Sequence, residues 1–373
     1  MELDATNADK LHLAHHQDLK GEVDSLAKPL IEKGEMPGVV VGVLLPDGSR
    51  HFYGYGVADQ ESGRTPGADT LFAVGSLSKG FLGATTAVLA REGKLKWSDT
   101  LAMYLPPEVK ISPDAKKITV RQLATHTSGL PNQPVEFQTL RYFAQYLFTG
   151  KNFYRHLDEE HVFHYLSRFK APREVEVKYS NLGYALLGYV VQRCSGESAD
   201  LVVRQELLDP LGLVHTGYFP DLLSGGPIRA RGYAGDQPKF IRRGKPVPDW
   251  NFTKLMMPTG GMYSNAQDLL TYAAAHLQAR PGVLTDALRD TLVVEKPRPR
   301  DAPAVGWFAD EVDGQTIVYQ IGVVAGFTSY IGLDIQNQEA VVVLENSFNW
   351  VNRIGHKLLV RLGHARFQTA FAH

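Results

Sequence analysis

The sequence has only one cysteine, Cys194, among 373 residues, which excludes an internal disulfide and a cysteine-based metal site. Cys194 follows a helical stretch from Leu182 to Arg193, where burial is the ordinary role of a lone thiol. An excess of charge is also lacking: 39 basic residues stand against 40 acidic ones, a formal net charge of −1. No strong overall field attracts phosphate backbones or anionic lipid, so nucleic acid is not expected as a partner. Met1 to Lys20 holds no apolar run long enough for a signal peptide or a membrane anchor. The chain as given therefore reads as cytoplasmic, or as periplasmic or secreted if a leader has been removed. Gly-x-Ser-x-Gly, a phosphate-binding P-loop and a Gly-x-Gly-x-x-Gly fingerprint are all missing. What remains is ordinary for a soluble enzyme-sized protein, with 44% apolar and 21% charged residues.

Near the N-terminus, Leu19, Val23, Leu26, Leu30 and Ile31 recur at helical intervals from Gln17 to Gly34, and Pro37 stops that helix. Val39 to Leu45 and His51 to Val57 are β-rich runs joined by Pro46-Asp47-Gly48, a hairpin pattern. Strand-like Leu71 to Gly75 precedes Gly80 to Glu92, a helix apolar on most sides and so expected to be buried. Pro106 to Asp249 mixes short helical patterns with Pro/Gly-rich stretches and reads as a mostly helical insertion. Strands return at Val305–Asp310, Gln315–Ile321, Thr328–Asp334 and Ala340–Glu345, with turns at Asp313-Gly314 and Gln336-Asn337-Gln338, before a final helix from Trp350 to Leu362. The expected fold is α/β of the α+β type. Residues 1–105 and 250–373 build one antiparallel sheet from both termini, flanked by helices, and residues 106–249 form an inserted helical domain lining a cleft.

Ser-x-x-Lys occurs at Ser25/Lys28, Ser76/Lys79 and Ser167/Lys170. On a helix, i and i+3 share a face, so an amine reaches the hydroxyl, but a nucleophile also needs a lysine that loses its proton. Ser25 lies in a charged amphipathic helix, and Ser167 near a helix C-terminus whose dipole opposes a developing anion. Ser76 opens the buried helix, at its positive end and in an apolar surround that lowers a lysine pKa. The alternative for Ser76 is a plain N-cap.

Further segments decide how that alternative is weighed. Ser76-Leu77-Ser78-Lys79 resembles the Ser-x-x-Lys signature of penicillin-binding proteins and β-lactamases. The likeness runs on through Gln122 to Pro131, Tyr179-Ser180-Asn181, Asp209 to Leu213, Gly260 to Asp268 and Gly322 to Phe327. The chain is therefore similar to the class C β-lactamase-related group, which includes esterases, D-amino-acid peptidases and transacylases, and the resemblance implies a β-lactamase/transpeptidase-like fold. It implies that Tyr179 works with Lys79 in proton transfer, and that Asn181 orients the lysine and the carbonyl side of the substrate; the other reading of Tyr179 is a core tyrosine at a helix start. The second such triplet, Tyr263-Ser264-Asn265, matches a non-catalytic landmark, with Ser264 and Gln267 expected as a capping box. The basic triad of the family falls on Gln320-Ile321-Gly322, where the cation is missing. Gly322 permits close approach of substrate, and the Val323 amide is placed to join the Ser76 amide in an oxyanion hole. Arg353 is another basic residue that could meet a substrate carboxylate.

His126 is expected in a structural turn, His161 and His164 on a solvated helix face, and His12, His15 and His16 in the N-terminal segment, so no metal and no organic cofactor is called for. The expected chemistry is attack by Ser76 on an ester or amide of a small-molecule or short-peptide acyl substrate, most simply as a carboxylesterase-like enzyme. The alternatives are a D-amino-acid peptidase or β-lactamase-type hydrolase, and a non-catalytic ligand-binding protein on the same fold. Oligomeric state is not legible in the sequence.

Overall fold

Strands from the two ends of the chain meet in one seven-stranded sheet in the computed structural model, which describes residues 19–370 apart from 135, 175, 224–227, 279–280 and 351–352. A helix over 19–32 (α1) leads into β1 (Gly38–Leu44) and β2 (Arg50–Gly56), which pair antiparallel with Val41 opposite Tyr53. Strand β1 then pairs with β9 (Glu339–Glu345), joining the N-terminal hairpin to the C-terminal strands. The sheet order is β2-β1-β9-β8-β7-β6-β5, with β5 at Ala302–Pro303, β6 at Phe308–Val312, β7 at Gln315–Val324 and β8 at Phe327–Asp334, antiparallel throughout.

Every residue of β1 is buried because both faces of the sheet are covered. Val39, Val41 and Val43 face one way, packing with Val23 and Ala27 of α1 and with Leu358 and Leu359 of the C-terminal helix. Val40 and Leu44 point to the other face, into the core that contains Phe81 and Leu82 of α2 (Ser78–Arg91). Each such side chain contributes about 1.5–3 kcal/mol by leaving water. The other long helices are α3 (Phe137–Thr149), α4 (Glu159–Ser167), α5 (Asn181–Ser195), α6 (Ala266–Leu277), α7 (Val283–Thr291) and α8 (Ile354–Ala370). Helix α6 packs on α2 through the stacked rings of Phe81 and Tyr272, 4.2 Å apart. A two-stranded ribbon, β3 (Phe72–Ala73) with β4 (Tyr263–Ser264), enters the turn before α2.

Several expectations shift. The strand expected from Val305 begins at Phe308, because Ala304 N–H donates to the Trp307 carbonyl at 2.8 Å in a turn that Gly306 makes with φ 77°. Helix α2 starts at Ser78, two residues before the expected Gly80, and Leu71–Gly75 supplies only two paired strand residues. The cap of α6 is Asn265, whose side chain accepts from Asp268 N–H at 2.8 Å; Ser264 is a strand residue whose hydroxyl pairs with that of Thr216. The final helix begins at Ile354. Of the N-terminal segment, His12, His15 and His16 lie outside the described residues.

Candidate active site

From Leu71 to Gly80 every residue is buried except Ser76, which is half-buried. Gly75, at φ 53°, turns the chain into a short 3₁₀ segment, Gly75–Leu77, that runs directly into α2. The turn is fastened from three sides. Ser329 Oγ donates to the Val74 carbonyl at 2.7 Å, Ser78 Oγ donates to the Gly75 carbonyl at 2.6 Å, and Met262 N–H donates to Ser78 Oγ at 3.1 Å. Neither the 3₁₀ segment nor α2 has a side-chain cap, and the residue in the capping position of α2 is Leu77, so Ser76 is not an N-cap.

Lys79 lies on the first turn of α2, and its Nζ is 3.0 Å from Ser76 Oγ and 2.5 Å from the Thr259 carbonyl oxygen. Both partners are neutral. The side chain is almost wholly enclosed, at 2% exposure. Burial, with no carboxylate to offset it, pushes the ammonium well below the ordinary 10.5 of a lysine. An amine in this place carries a lone pair toward the serine hydroxyl while its own N–H is held by the carbonyl of Thr259.

Tyr179 comes to the same spot from the segment before α5, with Lys79 Nζ 5.1 Å from its ring centroid. Loss of hydration pushes the phenol above its ordinary 10.0, and the nearby Ser76 hydroxyl opposes that rise. With 37% of the residue open to solvent, water tempers the shift. Beneath it His126, with φ 58°, packs tilted against it at 4.6 Å between centroids. Its Nδ1 accepts from Ser180 N–H at 3.1 Å, leaving the proton on Nε2. Burial first, and the nearby Lys79 charge second, hold His126 neutral down to about 3. Its ring packs against those of Tyr179 and Tyr184.

Asn181 is the first residue of α5, whose cap is Ser180. Its Nδ2 donates to the Tyr154 hydroxyl at 3.0 Å, and its buried Oδ1 has no partner among the described residues. On the facing strand, Gly322 packs its α-carbon against the Val74 carbonyl, and the Val323 backbone occupies the space where a Gly75 side chain would lie. The main chains of Ser76 and Val323 are thereby adjacent. Gln320 is on the same side of β7, but it is 3% exposed and its amide packs over Gly80 of α2, with both polar atoms unpartnered among the described residues. The structure therefore brings Ser76, Lys79, Tyr179, Gly322 and Val323 together at the turn and places the Gln320 amide behind it. Arg353 is elsewhere, lining a cavity of about 300 Å³ with Ser25, Leu26 and Lys357.

The competing motifs are absorbed by structure. Lys28 pairs with Asp24 at 2.9 Å, and Ser167 Oγ donates to the His164 carbonyl at 2.7 Å. Tyr263 accepts from Arg229 at 2.8 Å in the β3–β4 ribbon. His161 Nδ1 is 2.7 Å from Asp158, and no group of three or more metal-ligating side chains occurs among the described residues. Sequence reasoning missed Thr259, which acts through a main-chain carbonyl, and Tyr154, which no spacing linked to Asn181. A shallow recess beside the Gly75 turn is walled by Trp250, Phe252, Tyr263, Val324 and Ala325. Arg229, which donates to Tyr263 of this wall, is already held by Asp249 at 2.5 Å.

A family model described as Beta-lactamase matches residues 23–365. A protein named Beta-lactamase from Providencia stuartii is 33% identical over 261 residues, covering 69% of this chain and 60% of that protein. Protein flp of Staphylococcus aureus is 25% identical over 362 residues, covering 94% of this chain and 68% of that protein. The chain thus spans 60% of the first relative's length and 68% of the second's. A class C beta lactamase from Rhodobacter sphaeroides superposes with a TM-score of 0.76 at 24% identity, over 91% of this chain and 99% of that one. The D-alanine carboxypeptidase AmpC from Burkholderia cenocepacia does so with a TM-score of 0.74 at 22% identity, over 93% and 99%. The fold is β-lactamase/transpeptidase-like.

Proposed function

The chain belongs to the Beta-lactamase family of serine hydrolases, and on that premise we propose that it cleaves short neutral esters through an acyl-Ser76 intermediate. The observation that carries this reading is the 3.0 Å contact between Ser76 Oγ and a Lys79 amine enclosed without a counter-charge. Burial pushes Lys79 down and Tyr179 up, and groups driven apart in this way divide into base and acid. Neutral Lys79 takes the serine proton as Ser76 Oγ bonds to the carbonyl carbon. The oxyanion is met by the Ser76 and Val323 amides. As the carbon–oxygen bond to the leaving group breaks, Tyr179 gives that oxygen its proton and is reprotonated from Lys79. Water then adds to the acyl-enzyme, passes its proton back through the same pair, and releases the acid and free Ser76.

Neutral substrates are favoured by the distant place of Arg353 and by the Asp249 partner of Arg229. Intact mass after fluorophosphonate treatment tests the nucleophile: one adduct on the wild type and none on Ser76→Ala. An adduct that persists on the variant would overturn the assignment.

A second reading, β-lactam hydrolysis, is favoured by the Providencia stuartii relative's name. The kcat/KM of a p-nitrophenyl ester and of a chromogenic cephalosporin separates the two. We expect the ester to dominate. Equal turnover of both substrates would favour the second reading.

A further inference from the structure

Helix α3 presents large apolar residues to solvent as well as to the core. Thr139 and Tyr146 are its buried residues, and they lie together on the helix at 100° per residue. The opposite side carries Phe137 and Phe148, exposed at 83% and 64%, with Leu140, 57% exposed, on the flank. Phe143 borders them at 41%, and Phe240, 60% exposed, stacks on Phe148 with centroids 4.5 Å apart. Phe240 N–H donates to the Leu147 carbonyl at 3.0 Å, so the second segment is fastened to the end of the helix. A surface helix ordinarily keeps its apolar stripe against the core. Here Thr139 and Tyr146 face inward, yet Phe137, Leu140 and Phe148 stay in solvent, on a patch of the kind that marks an interaction site.

The patch has a sign of charge as well. Arg141 on the helix, Lys151 just beyond it, and Lys239 and Arg242 beside Phe240 are all exposed. The neighbouring carboxylates are already matched, Glu136 by Arg168 at 3.6 Å and Asp236 by Arg243. Aromatic and leucine side chains bordered by cations that have no carboxylate partner among the described residues suit a surface with an apolar interior and anionic head groups. A second copy of the chain suits it less, because self-pairing would bring two like-charged rims together. No helix of the described residues is long and apolar enough to cross a membrane, so contact of this kind would be peripheral. The near-zero total charge hides this cluster, which exists only once residues 141–151 and 239–242 are folded together.

We propose that the α3 and Phe240 face seats the protein on an anionic lipid surface. The face adjoins the candidate site. Gly150, at the end of α3, accepts from Trp250 Nε1 at 2.8 Å, and Tyr154 beyond it accepts from Asn181. Binding itself is independent of the catalytic reading.

The test is co-sedimentation of the full chain with vesicles of phosphatidylglycerol and phosphatidylcholine, against phosphatidylcholine alone. We expect binding to the anionic vesicles, at least about ten-fold weaker binding to the neutral ones, and loss of binding at high salt. Phe148→Ser with Phe240→Ser should abolish it while turnover of a soluble ester stays at the wild-type value. Lys239→Glu with Arg242→Glu, which leaves the apolar residues in place, should weaken it comparably with an unchanged melting temperature. Failure of the wild type to sediment with either vesicle would overturn the proposal, as would equal binding to both. So would a dimer in analytical ultracentrifugation that disappears in the Phe148→Ser, Phe240→Ser variant, since it would assign the face to a second copy.

Discussion

The α-carbon of Gly322 rests on the carbonyl oxygen of Val74 so closely that no methyl group fits between them. That carbonyl belongs to the residue two before Ser76 and also accepts from Ser329. Gly322→Ala must therefore move the serine turn away from the Val323 amide, or fail to close the strand against it. We expect a loss of about 1–3 kcal/mol in stability and a fall in ester kcat/KM of about 100-fold, since misplacement near 1 Å has that effect. Urea unfolding and steady-state kinetics on one preparation check both. Wild-type turnover in Gly322→Ala would show that the contact does not position the serine.

Lys79→Ala and Tyr179→Phe are each expected to reduce turnover by several orders of magnitude, with the double variant little worse than the poorer single one. Residues that pass one proton between them are strongly non-additive. Lys79 touches Ser76 Oγ and lies 5.1 Å from the Tyr179 ring, which places the two beside one hydroxyl. Additive losses in the double variant would mean that the two act in separate steps.

The pH profile follows from the directions of the two shifts. Lys79 must be neutral to accept a proton, so activity is present above its pKa and lost as pH falls through it. Burial lowers that pKa from 10.5, and the rising limb of kcat/KM is expected well below the ordinary lysine range. Tyr179 must keep its proton, and with its pKa raised above 10.0 no falling limb is expected below about pH 10. A profile measured from pH 5 to 10 that peaks near neutrality and declines again would contradict this pairing.

Glu345, at 2% exposure beside Asn349, has its carboxyl pushed up to about 8 by burial, against an ordinary 4.5. Below 4.5 the group is protonated whether the chain is folded or not. As pH rises from there to about 8 the unfolded chain ionises while the folded one does not, so stability is progressively lost across that window. Glu345→Gln should remove the slope and be more stable at pH 8, by an amount on the order of a few kcal/mol, with little difference at pH 4. Denaturant midpoints at the two pH values provide the comparison. A parallel pH dependence in wild type and variant would place the titrating group elsewhere.

The serine turn was legible because it is a local feature, a strand-like run, a small residue, and a helix apolar all round. Period and composition separated Ser76 from Ser25 and Ser167 without any tertiary information. The sheet built from both termini was likewise written in the valine-rich runs of β1 and β9. Thr259 was not legible, since a carbonyl belongs to every residue and only the fold chooses which one meets Lys79. The α6 cap went to the wrong residue because Ser264 and Asn265 are both good caps, and pairing of Ser264 with β3 removed it from the competition. Gln320 could be placed on a strand by counting, but the direction of its amide depended on Gly80, which leaves room beneath it.

Lys79 and Glu345 have a joint consequence for the protonation balance of folding. In the unfolded chain near neutrality one is a cation and the other an anion; in the folded protein both are driven toward their uncharged forms. On folding the ammonium tends to shed a proton and the carboxylate to take one up, changes of opposite sign in the charge of the molecule. The share of the heat of unfolding that the buffer supplies through these two groups is reduced by that opposition. Take away the carboxylate, as in Glu345→Gln, and the lysine's proton release stands without its counterpart, so that buffers of different ionisation enthalpy report more widely different heats for the same transition.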